Sequence, residues 1–214
     1  MNLMKKILIP AFIFYCSMLY GQNNACNCYP TTPKERQDRS SAKHETNYSI
    51  YKLKKDTISV EYIYGWGDLY YLATKSISKK AENPKSIRKH NTPEDSLYIL
   101  KGYMWFVKTE DNDCDFHIEI GPKNIDGDRI IIEVPVENIK TQQKIKDYLN
   151  KHGLKIMGCG TSNSKKAHFD KGIPVVVVGL GFYDASHKPD TNHGDKHTKK
   201  HSWELHPVKE IYFH

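Results

Sequence analysis

Residues 129–153 read RIIIEVPVENIKTQQKIKDYLNKHG. Ile130, Ile131, Ile132 and Val134 form a β-branched run that favours a strand, and Pro135 ends it. The pattern then changes. Asn138 can cap a helix, Ile139, Ile145 and Leu149 supply a partial apolar face, and Gly153 can stop it. The stretch therefore predicts a strand followed at once by a helix over 138–152.

Strands flank this pair on both sides. Upstream, SLYILKGYMWFVKT (96–109) is long and apolar, EDND (110–113) is turn-like, and CDFHIEI (114–120) alternates. GPKNIDGD (121–128) supplies the next turn. Downstream, IPVVVVGLGFYDA (173–185) shows little alternation, which predicts a strand buried on both sides. WELHPVKEIYF (203–213) closes the chain. Strand, strand, strand, helix, strand, strand is the order of an OB-fold, a five-stranded barrel with its helix between strands three and four. It would place strand two beside strand three, and strand three beside strand five. A five-stranded sandwich with a packed helix uses the same elements and stays open as the alternative.

The chain ahead of the barrel divides by composition. Residues 1–21 read as a secretory signal: Lys5 and Lys6, then the apolar run ILIPAFIFYCSMLY, then Gly21 as a cleavage position. That run is shorter than the roughly 20 residues a spanning helix needs. No later stretch reads as a membrane span, so the expectation is export to the periplasm or the outside. Lipidation is not expected, because Cys16 follows Tyr15 and the residues ahead of Cys26 are polar. Residues 22–45 are polar and read as a flexible leader. Residues 46–78 are rich in Tyr, Ile and Val and read as a small β-rich extension, with Gly65 and Gly67 marking a turn. Residues 79–95 are charged, carry Pro84 and Pro93, and read as a linker to the barrel domain, 96–214.

The formal net charge of +7 is unevenly spread. Residues 22–95 hold 13 Lys and Arg against 9 Asp and Glu, while residues 96–214 hold 17 against 16. A near-neutral barrel weighs against binding nucleic acid through phosphate contacts alone. Cys26, Cys28, Cys114 and Cys159 lie beyond the signal, in an oxidising setting if the chain is exported. Cys114 with Cys159 is the favoured bridge among three possible pairings.

Alternation across strands brings polar residues to one face. Asp115, His117 and Glu119 oppose Phe116, Ile118 and Ile120. Glu204 and His206 oppose Trp203 and Leu205, and Glu133 stands on the strand between. With the apolar faces inward, these acids and imidazoles are expected to share one outward groove. Adjacent strands lie about 4.8 Å apart, so strands two and five stand roughly 10 Å apart across strand three. His117 with Glu133, and Glu133 with His206, are therefore the easiest pairs. Carboxylates with one or two imidazoles suit a divalent cation, whose identity stays open, and which can activate water for hydrolysis. Asp115, His117, Glu204 and His206 are the candidate catalytic residues. Asp115, His117, Glu133, Asp184, His187, Glu204 and His206 are the candidate metal ligands. Asp111 and Asp113 suit a turn. A solvated polar face accounts for the same pattern without function.

The connection DASHKPDTNHGDKHTKKHSWELH adds His187, His193, His197 and His201 with Asp184, Asp190 and Asp195. It reads as a loop beside the groove, and His-rich tracts capture transition metals. Three functions follow: an exported metal-dependent hydrolase of a phosphodiester or related polyanionic substrate; a non-enzymatic OB-type module binding nucleic acid, glycan or protein; or a metal-capture protein using the His loop. Oligomeric state is left open.

The run GYMWFVKTEDNDCDFHIEIG, RIIIEVP, IPVVVVGLGFYDASH and WELHPV resembles a group of exported bacterial proteins with OB-like barrels. They share an Asp-x-His strand, a Val-Glu-x-Pro strand, a Gly-x-Gly-Phe-x-Asp strand end with a following His, and a closing Glu-Leu-His-Pro. The resemblance covers 96–214 and implies that Asp115, His117, Glu133, Asp184, His187, Glu204 and His206 are the positions to test. It supplies no chemistry.

Overall fold

The computed structural model describes residues 43, 46–66, 93–110, 113–154, 156, 166–184 and 203–214. The signal segment, most of the leader, residues 67–92, Cys159, His187 and the remaining histidines up to His201 lie outside the described residues. Among the described residues eight strands and α-helices follow in order: β1 (Lys52–Ile58), α1 (Val60–Tyr64), β2 (Ser96–Thr109), β3 (Phe116–Gly121), β4 (Ile130–Val134), α2 (Ile139–Lys151), β5 (Ala167–Tyr183) and β6 (Trp203–Phe213).

The sheet runs β1-β2-β3-β4-β6-β5, and β5 returns to pair with β2. That last pairing closes β2 to β6 into a five-stranded barrel. β4 and β6 run parallel through Ile132 and Leu205, while β2–β3, β3–β4, β5–β6 and β2–β5 are antiparallel. This is the OB order, with strand two beside three, strand three beside five, and the helix between strands three and four. Closure removes the exposed edges that an open five-stranded sandwich would keep. No helix among the described residues is long and apolar enough to cross a membrane.

Alternation drives the core. Phe116, Ile118 and Ile120 of β3, Ile130, Ile132 and Val134 of β4, and Leu100 and Met104 of β2 form part of one buried cluster. α2 packs into it through Ile145 and Leu149. Ile139 does not follow the expected apolar face and stands 74 % exposed. Six residues at about 100° each put it roughly 120° away from Ile145. The buried stripe is completed by Thr141 and Gln142. Gln142 Nε2 donates to the carbonyls of Cys114 and Val134 and ties the helix to the starts and ends of two strands. Asn138 caps α2, accepting from the Thr141 amide.

Three expectations are corrected in detail. The Tyr-rich extension contributes a strand, β1, parallel to β2, but its Val60–Tyr64 portion is helical. Ser59 accepts from the Tyr62 amide as its cap, and Val60 and Ile63, three apart, both turn inward. The end of the charged linker belongs to the barrel: Glu94 is buried and accepts from the Tyr183 amide at 3.1 Å. β5 begins at Ala167, and its valines alternate between buried and half-buried. Burial on consecutive residues is confined to its end, from Gly179 to Tyr183.

Trp66 packs against Tyr98 and Trp203, with ring centroids 4.8 and 5.0 Å apart. The aromatic residues beyond β1 thus serve packing at this point. The peptide between His206 and Pro207 is cis.

Candidate functional site

β3, β4 and β6 lie side by side, and their register decides which polar residues meet. His117 stands opposite Glu133, and Ile132 stands opposite Leu205. Leu205 and Ile132 share the inner face, so Glu133, Glu204 and His206 share the other. Glu133 occupies the middle strand and reaches both neighbours.

His206 is the hub. Its Nδ1 lies 2.8 Å from Glu133 Oε2 and 3.2 Å from Glu204 Oε1. Its Nε2 lies 3.5 Å from Asp115 Oδ2. His117 Nδ1 lies 3.3 Å from Glu133 Oε1 and 3.3 Å from Glu110 Oε1. Glu133 therefore offers one oxygen to each histidine. Asp115 is held from the other side: its Oδ1 accepts from the Val136 amide at 2.9 Å, and its own amide donates to Asp113 Oδ1.

These side chains do not form the open groove expected of them. Asp115 and His206 are fully buried, and His117, Glu133, Asp184 and Glu204 are nearly so. The first six residues of β6 are buried on both faces. Phe182 lies 5.4 Å from the His206 ring, Phe106 lies 6.3 Å from the His117 ring, and Lys43 sits over Phe182. The polar face is thus roofed rather than solvated. A buried polar layer must satisfy itself internally, which accounts for the density of acid–imidazole pairs.

Lys43 is the residue that sequence reasoning missed. Placed by composition in a flexible leader, it donates to Asp184 Oδ2 at 2.7 Å. Nothing in its local pattern marks it. Glu110 was also missed, because it stands in a run whose composition is that of an ordinary turn. Glu119 goes elsewhere. It is captured by Arg129, 3.2 Å away, which also donates to the Ile125 carbonyl and lies over Trp105. Asp184 joins the site through Lys43. His187 and Asp111 lie outside the described residues.

The charges are strongly coupled. Burial works against the charged form of His206, but Glu133 and the close contacts with Asp115, Glu133 and Glu204 outweigh it and raise its pKa well above the usual imidazole range. Burial pushes Glu133 upward, yet His206, His117 and Lys43 outweigh it and hold it well below the carboxylate range. Burial raises Asp115 to about 6, against the pull of His206. Burial, then Glu133, raises Glu204. Burial opposes the Lys43 ammonium, but Asp184, Glu133 and Glu204 more than offset it, so its pKa rises. Asp113, Asp115, Glu133, Asp184 and Glu204 share a field in which Lys43 and His206 are the leading positive charges. Low-dielectric burial makes that surplus of negative charge costly unless protons or a cation offset it.

Two overlapping groups have the composition of a metal centre. Ligand atoms of Asp115, Glu133 and His206 lie within 4.8 Å of one another, as do those of Glu110, His117 and Glu133. Mixed carboxylate and imidazole donors suit divalent cations. Asp115 Oδ2, buried and facing the His206 ring, makes no hydrogen bond. The location also has meaning. In OB barrels the loops after strand one and between strands four and five flank the ligand-binding face. Glu110, Asp113 and Asp115 lie on or beside the first of these, and Asp184, Glu204 and His206 border the second.

In comparison with known proteins, no family model, no curated protein and no solved structure matches this chain.

Proposed function

We propose that this chain is an exported, divalent-metal-dependent hydrolase acting on a phosphodiester or related polyanionic substrate. The observation that carries the reading is the buried group Asp115, Glu133 and His206, whose ligand atoms lie within 4.8 Å of one another in a field rich in carboxylates. A cation held there by Asp115, Glu133 and His206 would offset negative charge and would supply Lewis-acid activation of water. His206 would give up its proton to ligate, and Glu204, 3.2 Å from its ring, would take part in that proton's transfer. A polyanion would be repelled by these acids without a cation. The exposed Lys52, Lys54 and Lys55 of β1 add positive charge on an outer strand. Export rests on the basic start and apolar run of residues 1–21, and the likeness to exported bacterial proteins is part of the same proposal. A Cys114–Cys159 bridge would follow from it.

Burial favours a second reading. With Asp115 and His206 fully covered, the same residues can serve as an ionic network inside a non-enzymatic OB-type binding module. Metal capture by the His tract concerns residues outside those described. The test is elemental analysis of the purified protein, with hydrolysis of bis(p-nitrophenyl) phosphate followed in Mn²⁺ or Zn²⁺. Metal-dependent turnover, abolished by chelation and by His206→Ala, supports the hydrolase. Bound metal without turnover leaves a metal-binding module. Failure to bind either cation removes the metal reading and leaves the ionic network.

A further inference from the structure

We propose that Glu133 bridges two divalent cations, so that the centre is dinuclear; the inference rests on the metal-dependent reading above and assigns it a substrate geometry. Glu133 belongs to both groups of ligand atoms, with Asp115 and His206 in one and Glu110 and His117 in the other. Its two oxygens are already divided. Oε1 lies 3.3 Å from His117 Nδ1, and Oε2 lies 2.8 Å from His206 Nδ1. An imidazole on each oxygen of one carboxylate is the donor arrangement a bridging ligand requires.

The spacing suits the proposal. Four donors at about 2.1 Å around a tetrahedral ion stand roughly 3.4 Å from one another. His117 Nδ1 stands 3.3 Å from Glu110 and 3.3 Å from Glu133. Around His206 the two contacts use different ring nitrogens, Nδ1 at 2.8 Å from Glu133 and Nε2 at 3.5 Å from Asp115, and one ligand atom from each of the three residues lies within 4.8 Å of the others, so a single ion would take one of the two nitrogens. Asp115 Oδ2 is fully buried, with His206 Nε2 at 3.5 Å as its ionic neighbour and no closer hydrogen-bond donor, which leaves it able to take a cation.

Charge is compatible with two ions. Asp115, Glu133, Asp184 and Glu204 are buried carboxylates with half-buried Asp113 beside them, and Glu110 is matched by Lys108 at 2.7 Å. Each cation bound would offset two negative charges and favour the ionised form of the acids around it. Two cations sharing a carboxylate sit about 3.5–4 Å apart and can stabilise both the attacking and the leaving oxygen of an in-line displacement. The substrate class this fits is a phosphodiester, whose hydrolysis adds water across one P–O bond.

Mn²⁺ titrated into chelated protein, with bound metal counted after equilibrium dialysis and examined by electron paramagnetic resonance, tests the proposal. The expected result is two Mn²⁺ per chain with a spin-coupled signal. Glu110→Gln should retain one ion and weaken the other by about 100-fold, and its partly exposed position makes a folding failure avoidable. Glu133→Gln should weaken both. One ion per chain overturns the bridge and leaves the single-metal reading standing. Two uncoupled ions also overturn the bridge. No bound ion overturns both this proposal and the metal reading beneath it.

Discussion

Replacing Glu133 by Gln in metal-free protein should destabilise it most near pH 6.5 and progressively less as pH rises. Glu133 Oε2 lies 2.8 Å from His206 Nδ1 and is the first-ranked attraction raising that imidazole above its ordinary range. A group whose folded pKa is raised contributes stability that is fully present below the unfolded pKa and is lost as pH rises through the folded one. For His206 the loss therefore starts near pH 6.5. Between pH 6.5 and 8.5 a native ring that keeps its proton forfeits at most about 3 kcal/mol, since each pKa unit is worth somewhat over 1 kcal/mol. Removing one member of a buried ion pair costs about 3–5 kcal/mol. The variant should thus lose about 3 kcal/mol at pH 6.5 and well under 1 kcal/mol at pH 8.5, because wild type has already shed most of that contribution. Glu133 also raises Glu204, so its removal adds no new upward shift there. Urea unfolding of both proteins in chelator at half-unit pH intervals measures the difference directly. A difference that is constant or grows with pH would refute the view that Glu133 holds the proton on His206.

Further outcomes can be checked by thermal and chemical unfolding. Lys43→Met removes the 2.7 Å bond to Asp184 in a mostly buried setting and should cost about 2 kcal/mol, lowering the melting temperature by roughly 4–8 °C; an unchanged melting temperature would return Lys43 to the leader. Gly181→Ala drives a methyl against the Pro93 carbonyl oxygen and should cost about 1–3 kcal/mol, since the obstacle is backbone. Ile145→Ala empties the position where α2 enters the barrel core and should cost about 2–5 kcal/mol, whereas Ile139→Ala, at an exposed site, should change stability by less than about 0.5 kcal/mol.

Much of the barrel was legible because it rests on short-range patterns. The β-branched run at 130–134 and the capped segment from Asn138 are local signals, and their order restricts the topology to very few arrangements. Faces were legible for the same reason: alternation alone put Asp115 and His117 on one side of β3 and Glu204 and His206 on one side of β6. The Val60–Tyr64 helix was less legible, since tyrosine and isoleucine favour strands and a five-residue element has little room to show a period. Ile139 misled because three apolar residues were taken as one stripe when their angular spacing separates them.

Unaided, the sequence determined the element order of the barrel, the inward faces of β3, β4 and β6 and the residue types gathered on the opposite face, because all of these follow from steric preferences within a few residues. Tertiary structure alone decided that this opposite face is covered, that Lys43 reaches it from 141 residues away in the chain, and that Glu119 is drawn off to Arg129 while Glu133 is shared by two histidines. Those outcomes depend on strand register and on which distant segments pack above the sheet. Burial then sets the charge states, since the cost of an uncompensated carboxylate is fixed by its surroundings in space and not by its neighbours in the chain.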